Sequence, residues 1–585
     1  MTDCGRGYQR SRVAHNRRVH APDFLGPLAL IFLAALGAAY VLHRLRQPPL
    51  IGFLAAGALL GPFGLGLVRD VHVVETLAEL GVVLLLFAIG LELSLGNLRR
   101  LGRIVSVAGP IQVLGTIALT FAVARSRGIS TAGSLFDGYL VALSSTAIVL
   151  KLLSDLREID SPHGRFLVGI LILQDLAVVP MLLSLEFLSG HSGSAAGPVL
   201  LALLKTAVAA AALVVGARVI IPRFIGALAG TRQKEIFVVA VLFLVLGSAL
   251  ATSWAGLSAA LGAFLAGLVL SESEYGHQAL ADIAGFRDAF SAIFFVSIGM
   301  LFQPRVLLDQ PLLVAVVLAL ILVGKTIAGG FAVLALGYPF RVALVVGLSL
   351  AQIGEFSFVL LRQGLGAGLI SPSAYQVFLA AALVTMLATP FLSEASHAFA
   401  ARASRSSGGG KSDTGAGATE DHVVVLGFGH MGETVARVLR RAGVAFRVID
   451  LDPDRVRRGR KLGVPIEYGD STNDHVLRRA GLPRARAAIV LLSDPRATRQ
   501  TIRHCRSLAP KTLLLARTRY LADIPALAAA GADEVVAEEF ESSLEIAGRT
   551  LQRLGFPLPW VESETDDLRR MRHDGFRKFR QPGAD

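Results

Sequence analysis

Apolar positions dominate the first two-thirds of the chain as long unbroken runs, and the remaining third alternates short apolar runs with charged amphipathic stretches. A helix crossing the hydrocarbon of a bilayer needs about 20 mostly apolar residues. Thirteen runs meet that length, at about 24–42, 49–68, 73–93, 104–124, 135–153, 166–188, 198–221, 236–252, 254–271, 286–302, 312–337, 342–362 and 376–398. After residue 400 the rhythm changes. ARASRSSGGGKSDTGAGATE (401–420) is small, polar and glycine-rich, the composition of a flexible linker. Beyond it, VVVLGF, FRVID, AAIVLLS and TLLLAR read as buried strands separated by helical stretches, which implies a parallel sheet covered by helices.

Composition sharpens this picture. Of 585 residues 53% are hydrophobic and only 17% charged, and the mean hydropathy is +0.59; soluble domains carry about 25% charge. The chain is therefore expected to be a polytopic membrane protein with a soluble C-terminal domain. Its net charge of +13 is accompanied by no basic stripe with interleaved aromatics, which argues against nucleic acid as a partner. The two cysteines, Cys4 and Cys505, are too few for a disulfide framework or a zinc site of their own. If the soluble part faces the cytoplasm, loops on its side hold fourteen Lys and Arg against five opposite, the bias expected of cytoplasmic loops. The N-terminal stretch, with Arg6, Arg10, Arg12, Arg17 and Arg18, runs against that count. The expected division is a basic extension at 1–23, a transmembrane domain at 24–398, a linker at 399–420, a soluble domain at 421–557 and a charged, weakly packed tail at 558–585.

Several apolar runs are interrupted by chemistry. Asp175 lies near the middle of LILQDLAVVP, beside Gln174. An ionisable group at that depth costs about 2.5–3.5 kcal/mol on insertion scales, and such groups mark ion paths. A carboxylate holds either a proton or a hard monovalent cation, so competition for one oxygen pair is itself a coupling device. Ser145 and Thr146 interrupt the preceding span in LSSTAIVLK, and Gln352 and Glu355 interrupt the twelfth in SLAQIGEF. Polar breaks at corresponding places in two halves predict crossed, discontinuous helices around a midplane site. Lys325, one of only four lysines before residue 400, is a second charge within a span. It is read either as a partner for Asp175 or as a fixed counter-ion for a half-helix C-terminus.

In the soluble part GFGHMG places Gly427, Gly429 and Gly432 in a GxGxxG spacing between a strand and a helix, with Asp450 ending the next strand. This is the arrangement that cradles a pyrophosphate at a helix N-terminus and holds ribose hydroxyls on an acid. No set of acid and base residues for nicotinamide chemistry accompanies it, so the chain is not expected to be an enzyme. No TVGYG-type filter is present, which disfavours a channel.

GALLGP (57–62), ELGVVLLLFAIGLELS (79–94), LSSTAIVLK with LILQDLAVVP, and LAGLVLSESEYGHQAL (265–280) leading to IFFVSIGM together resemble a Kef-type member of the monovalent cation:proton antiporter-2 family. The resemblance implies a sodium–proton-antiporter-like inverted repeat of about thirteen transmembrane helices, joined to an α/β Rossmann-like domain. It implies a homodimer in the inner membrane of a bacterial-type cell, exchanging potassium for protons by alternating access. The Gln174–Asp175 pair matches the Kef pattern; sodium–proton exchange on the same fold remains the alternative. YGDST (468–472) resembles the RCK, or TrkA-N, domain, whose pattern adds Asp470 and Arg517 to the ligand-binding set. The implied regulatory ligand is NAD(H) or an adenine nucleotide such as AMP or ATP, with glutathione a further effector in parts of the family. The acidic stretch 271–288 reads equally as a solvated loop or, as the resemblance implies, as a contact to the soluble domain in which Glu272 and Glu274 could meet the basic helices around 455–461.

Overall fold

The computed structural model describes residues 25–44, 47–68, 72–92, 102–188, 223, 233–254, 259–406 and 420–580. The basic extension, the expected span at 198–221 and most of the glycine-rich linker lie outside them. Among the described residues eight helices are long and apolar enough to cross a bilayer, and four shorter apolar helices accompany them. The contacts divide the chain into two units, one of residues 1–85 with 284–304, the other of 86–283 with 305–585.

In the first unit backbones meet through reciprocal glycines. A Cβ on Gly57 would stand 2.0 Å from the Val296 carbonyl, and one on Gly299 would stand 2.1 Å from that of Leu54. Only hydrogen fits there. Ile31, Leu60, Val68, Ile293, Val296 and Met300 fill the core around this contact.

The second unit holds two interrupted helices. α1 (Thr131–Ala142) gives way at Leu143–Ser145 to α2 (Thr146–Asp155), and α3 (Pro162–Leu188) follows. After α4 (Pro311–Ala335), α5 (Phe340–Ser349) breaks at 350–354 before α6 (Glu355–Gly366), and α7 (Pro372–Ser406) closes the bundle. The first break has a local cause: the Ser145 hydroxyl accepts from the Ile148 N–H and caps α2. The second break crosses the first at Gly354, where a Cβ would lie 2.5 Å from the Ser144 carbonyl. The Gly354 N–H donates to the Leu143 carbonyl at 3.1 Å and stitches the two interruptions together. α7 runs on to Ser406, so the expected linker starts inside its last turns.

The soluble part of this unit is a six-stranded parallel sheet in the order β3-β2-β1-β4-β5-β6. The strands are β1 (Val423–Leu426), β2 (Phe446–Asp450), β3 (Ile466–Tyr468), β4 (Ala487–Val490), β5 (Leu513–Thr518) and β6 (Glu534–Ala537). β1 is central and pairs Val425 with Val448 on one side and Ile489 on the other. Both of its faces are covered, which is why VVVL is apolar throughout. The strand order reverses beside β1, where doubly wound sheets open a ligand crevice at their carboxyl edge. The charged C-terminal stretch forms a helix, Leu558–Arg580, in which Val561 is buried and Arg569 bridges to Glu541.

Candidate functional site

Two sites emerge, one at the helix crossing and one at the carboxyl edge of the sheet. At the crossing, Asp175 on α3 is half-buried. Its two carboxylate oxygens accept from the Thr146 hydroxyl at 3.1 and 3.0 Å. Thr146 is the first residue of α2, so the carboxylate sits where that half-helix presents its positive end. Gln174 faces the other way. Its side-chain oxygen accepts from the Ser144 N–H at 2.7 Å, and its amide donates to Gln112 at 2.7 Å. Gln112 is fully buried and also reaches Thr116. Sequence reasoning missed Gln112, because one neutral amide in an apolar run gives no signal of its own.

The opposite ends of the broken helices are served by Lys325. This fully buried side chain on α4 donates to the Leu143 carbonyl at 2.6 Å and to the Gln352 carbonyl at 2.5 Å, one in each interruption. Both contacts are to backbone carbonyls of the two chain breaks. Gln352 donates to the Ser145 carbonyl at 3.4 Å. Its side-chain oxygen is buried without a hydrogen-bond partner among the described residues. Glu355 is buried in the first turn of α6, where a carboxylate complements the helix N-terminus. The arrangement is thus a crossed pair of half-helices with acids at the N-termini of α2 and α6 and an ammonium on the carbonyls of the breaks.

The second site is a cavity of about 440 Å³, and all six sequence-predicted residues, Gly427, Gly429, Gly432, Asp450, Asp470 and Arg517, line it. Gly427 has a φ of +110°, a conformation that favours glycine. A Cβ on Gly432 would stand 2.1 Å from the Gly427 carbonyl, so the turn into the His430–Arg441 helix closes only with glycine there. Gly429 is different: a Cβ there meets nothing closer than Arg455 at 3.7 Å. Gly429 caps that helix without a side-chain partner, leaving N–H groups for an anion. Asp450 accepts from the Phe428 N–H at 2.5 Å and the Asp452 N–H at 2.7 Å. Burial pushes its carboxyl upward, against the opposing pull of Arg455 and of those two N–H groups. It therefore shapes the glycine loop as well as facing the cavity. Arg517 is held bidentately by Glu538 at 2.6 and 2.7 Å.

The membrane part supplies a wall of the same cavity through Arg165, Phe166, Tyr338, Arg341 and Val342. Arg341, at the start of α5, lies 3.6 Å from Asp470 and 3.3 Å from Asp494. Around it runs a charged joint. Arg103 pairs with Asp454, Arg157 with Asp523, Arg519 with Asp160 and Arg496 with Glu158. Glu158 is fully buried. Burial pushes its carboxyl up, but hydrogen bonds and charge from His163 and His397 more than offset this and hold it well below the usual range. In the basic helix Arg455 reaches Asp450 and Asp452, and Arg458 reaches Glu433.

Known proteins match both parts of the chain. The family model described as "Sodium/hydrogen exchanger, transmembrane" matches residues 29–394, and the TrkA-N domain model matches 423–538. The chain is 35% identical over 537 residues to K(+) efflux antiporter 1, chloroplastic, of Arabidopsis thaliana, covering 89% of this chain but only 44% of the plant protein. It is 33% identical to the putative cation/proton antiporter YbaL of Escherichia coli, covering 91% of this chain and 98% of that protein. Among solved structures it resembles the sodium proton antiporter MjNhaP1 of Methanocaldococcus jannaschii, with a TM-score of 0.50 at 16% identity, over 64% of this chain and 97% of that one.

Proposed function

We propose, from the premise that this chain belongs to the transmembrane sodium/hydrogen exchanger family, in its Kef-type branch with a TrkA-N domain, that it exchanges potassium for protons by alternating access. The observation that carries this reading is the single half-buried carboxylate of Asp175 held at the N-terminus of a broken helix. A proton and a dehydrated monovalent cation compete for that oxygen pair, so each displaces the other. Thr146 orients the carboxylate. The unpaired oxygen of Gln352 and the hydroxyl of Ser145 are oxygen donors of the crossing that a cation can use, and Gln174 locks α3 to the first break. Lys325 and Glu355 balance the half-helix ends, so the ion site needs no permanent ion to hold it together.

The transport machinery lies in 24–398 and regulation in 421–557, which faces the cytoplasm of a bacterial-type cell. The cavity at Gly427, Gly429, Gly432, Asp450, Asp470 and Arg517 takes an adenine nucleotide, NAD(H) or a mononucleotide such as AMP or ATP. Its phosphates bear on Arg341, which belongs to the transport part, so occupancy is felt directly at the start of α5. The working unit is a homodimer, and glutathione is a second effector to test.

The test is proton flux in liposomes holding the purified chain, with potassium, sodium, lithium and rubidium gradients compared. Potassium-driven proton movement altered by NADH or AMP supports the reading. A response confined to sodium converts it to sodium–proton exchange, and no cation dependence at all removes it.

A further inference from the structure

We propose that Glu158, His163 and His397 form a binding site for one divalent transition-metal ion of the zinc type. The His163 Nε2 stands 3.0 Å from Glu158 Oε2, and the His397 Nε2 stands 3.3 Å from the same oxygen. The three ligand atoms all lie within 4.8 Å of one another. In a tetrahedral site with bonds of about 2.0–2.1 Å, neighbouring ligand atoms are about 3.3 Å apart. The two separations between Glu158 and the histidines already match that spacing.

Two further observations favour an ion over a simple hydrogen-bond cluster. A cavity of about 10 Å³ opens among Glu158, His163, His397 and Ser393, which is room for one water-sized particle. Leu153, Leu156, Leu167 and Val345 are among the apolar side chains of its wall. The second observation is the pair of charged groups that surround the cluster. Arg496 Nε lies 3.1 Å from Glu158 Oε1, the oxygen the histidines do not share. Asp494 lies 3.9 Å from His163 Nδ1, on the side of the ring away from Glu158. A guanidinium beside the outer oxygen of the carboxylate, and a carboxylate on the far side of a histidine ring, stand where the outer partners of metal ligands are found.

All three ligands come from the connection before α3, from α3 itself and from α7, whereas both outer partners come from the soluble domain. A bound ion would fasten α7 to the start of α3 and strengthen the docking of the soluble domain on both.

The experiment is metal analysis on the purified full-length chain, loaded with zinc and passed through gel filtration. The expected result is about one zinc per chain in the wild type and at least a tenfold loss in the double variant His163→Ala/His397→Ala, eluting as the same folded species. Undiminished zinc in the double variant, or no stoichiometric zinc in the wild type, overturns the site. Should the double variant fail to fold, cobalt decides. Cobalt-loaded wild type should show the intense visible bands of a four-coordinate ion, and His397→Cys should add a thiolate charge-transfer band. Only the weak spectrum of hydrated cobalt in the wild type, or no new band in His397→Cys, contradicts the proposal. The readout is bound metal, so its failure leaves the transport reading untouched, and the converse holds.

Discussion

Gly429 and Gly432 lie three residues apart in one loop, yet they carry different loads. Gly432 is packed so tightly against the Gly427 carbonyl that a methyl has no place, whereas Gly429 opens on the cavity. Gly432→Ala should destabilise the soluble domain by about 1–3 kcal/mol, the usual cost of overpacking, seen as a lower unfolding temperature without any ligand. Gly429→Val should leave that temperature nearly unchanged and abolish the stabilisation that NADH or AMP confers on the wild type. A wild-type ligand shift in Gly429→Val would move the nucleotide elsewhere. The glycine spacing was readable in the sequence because the backbone needs it. The grip of Glu538 on Arg517 was not, since an acid twenty-one residues on carries no pattern.

At the scale of elements, two interrupted helices are joined by one ammonium. Lys325 serves one carbonyl in each break, and the Gly354 N–H ties the breaks directly. Lys325→Met keeps the stem but leaves two buried carbonyls without this donor, at about 1–3 kcal/mol each. The variant should unfold in detergent at a clearly lower temperature than wild type, measured by intrinsic fluorescence scanning. Unchanged stability would mean that other donors carry the crossing. These breaks were legible beforehand, because polar residues inside an apolar run are costly and hence conspicuous. Gln112 was hidden by the same logic, as an uncharged amide hydrogen-bonded within the bundle stands out little. The charged C-terminal stretch, expected to be weakly packed, forms a helix, Leu558–Arg580, in which Val561 is buried and Arg569 pairs with Glu541.

At the scale of the molecule, the soluble domain and the transport helices of the second unit share a cavity wall and a set of ion pairs. Arg341 stands at the centre, between Asp470 and Asp494. Arg341→Gln should preserve nucleotide binding in a thermal-shift assay while cutting the effect of that nucleotide on transport at least several-fold. Full regulation in this variant would mean that another part of the joint transmits the signal. None of this joint was visible in the sequence. Glu158 lies in a short polar connection and Arg341 in the first turn of α5, and their partners Arg496 and Asp494 are more than a hundred residues away. Only folding brings them together. The account as a whole rests on Asp175, and the most direct measurement is proton flux driven by a potassium gradient in liposomes, comparing wild type with Asp175→Asn at equal reconstituted amounts. Flux in the wild type and background-level flux in the folded variant is the predicted result. Equal flux from both would contradict the assignment of the exchange site.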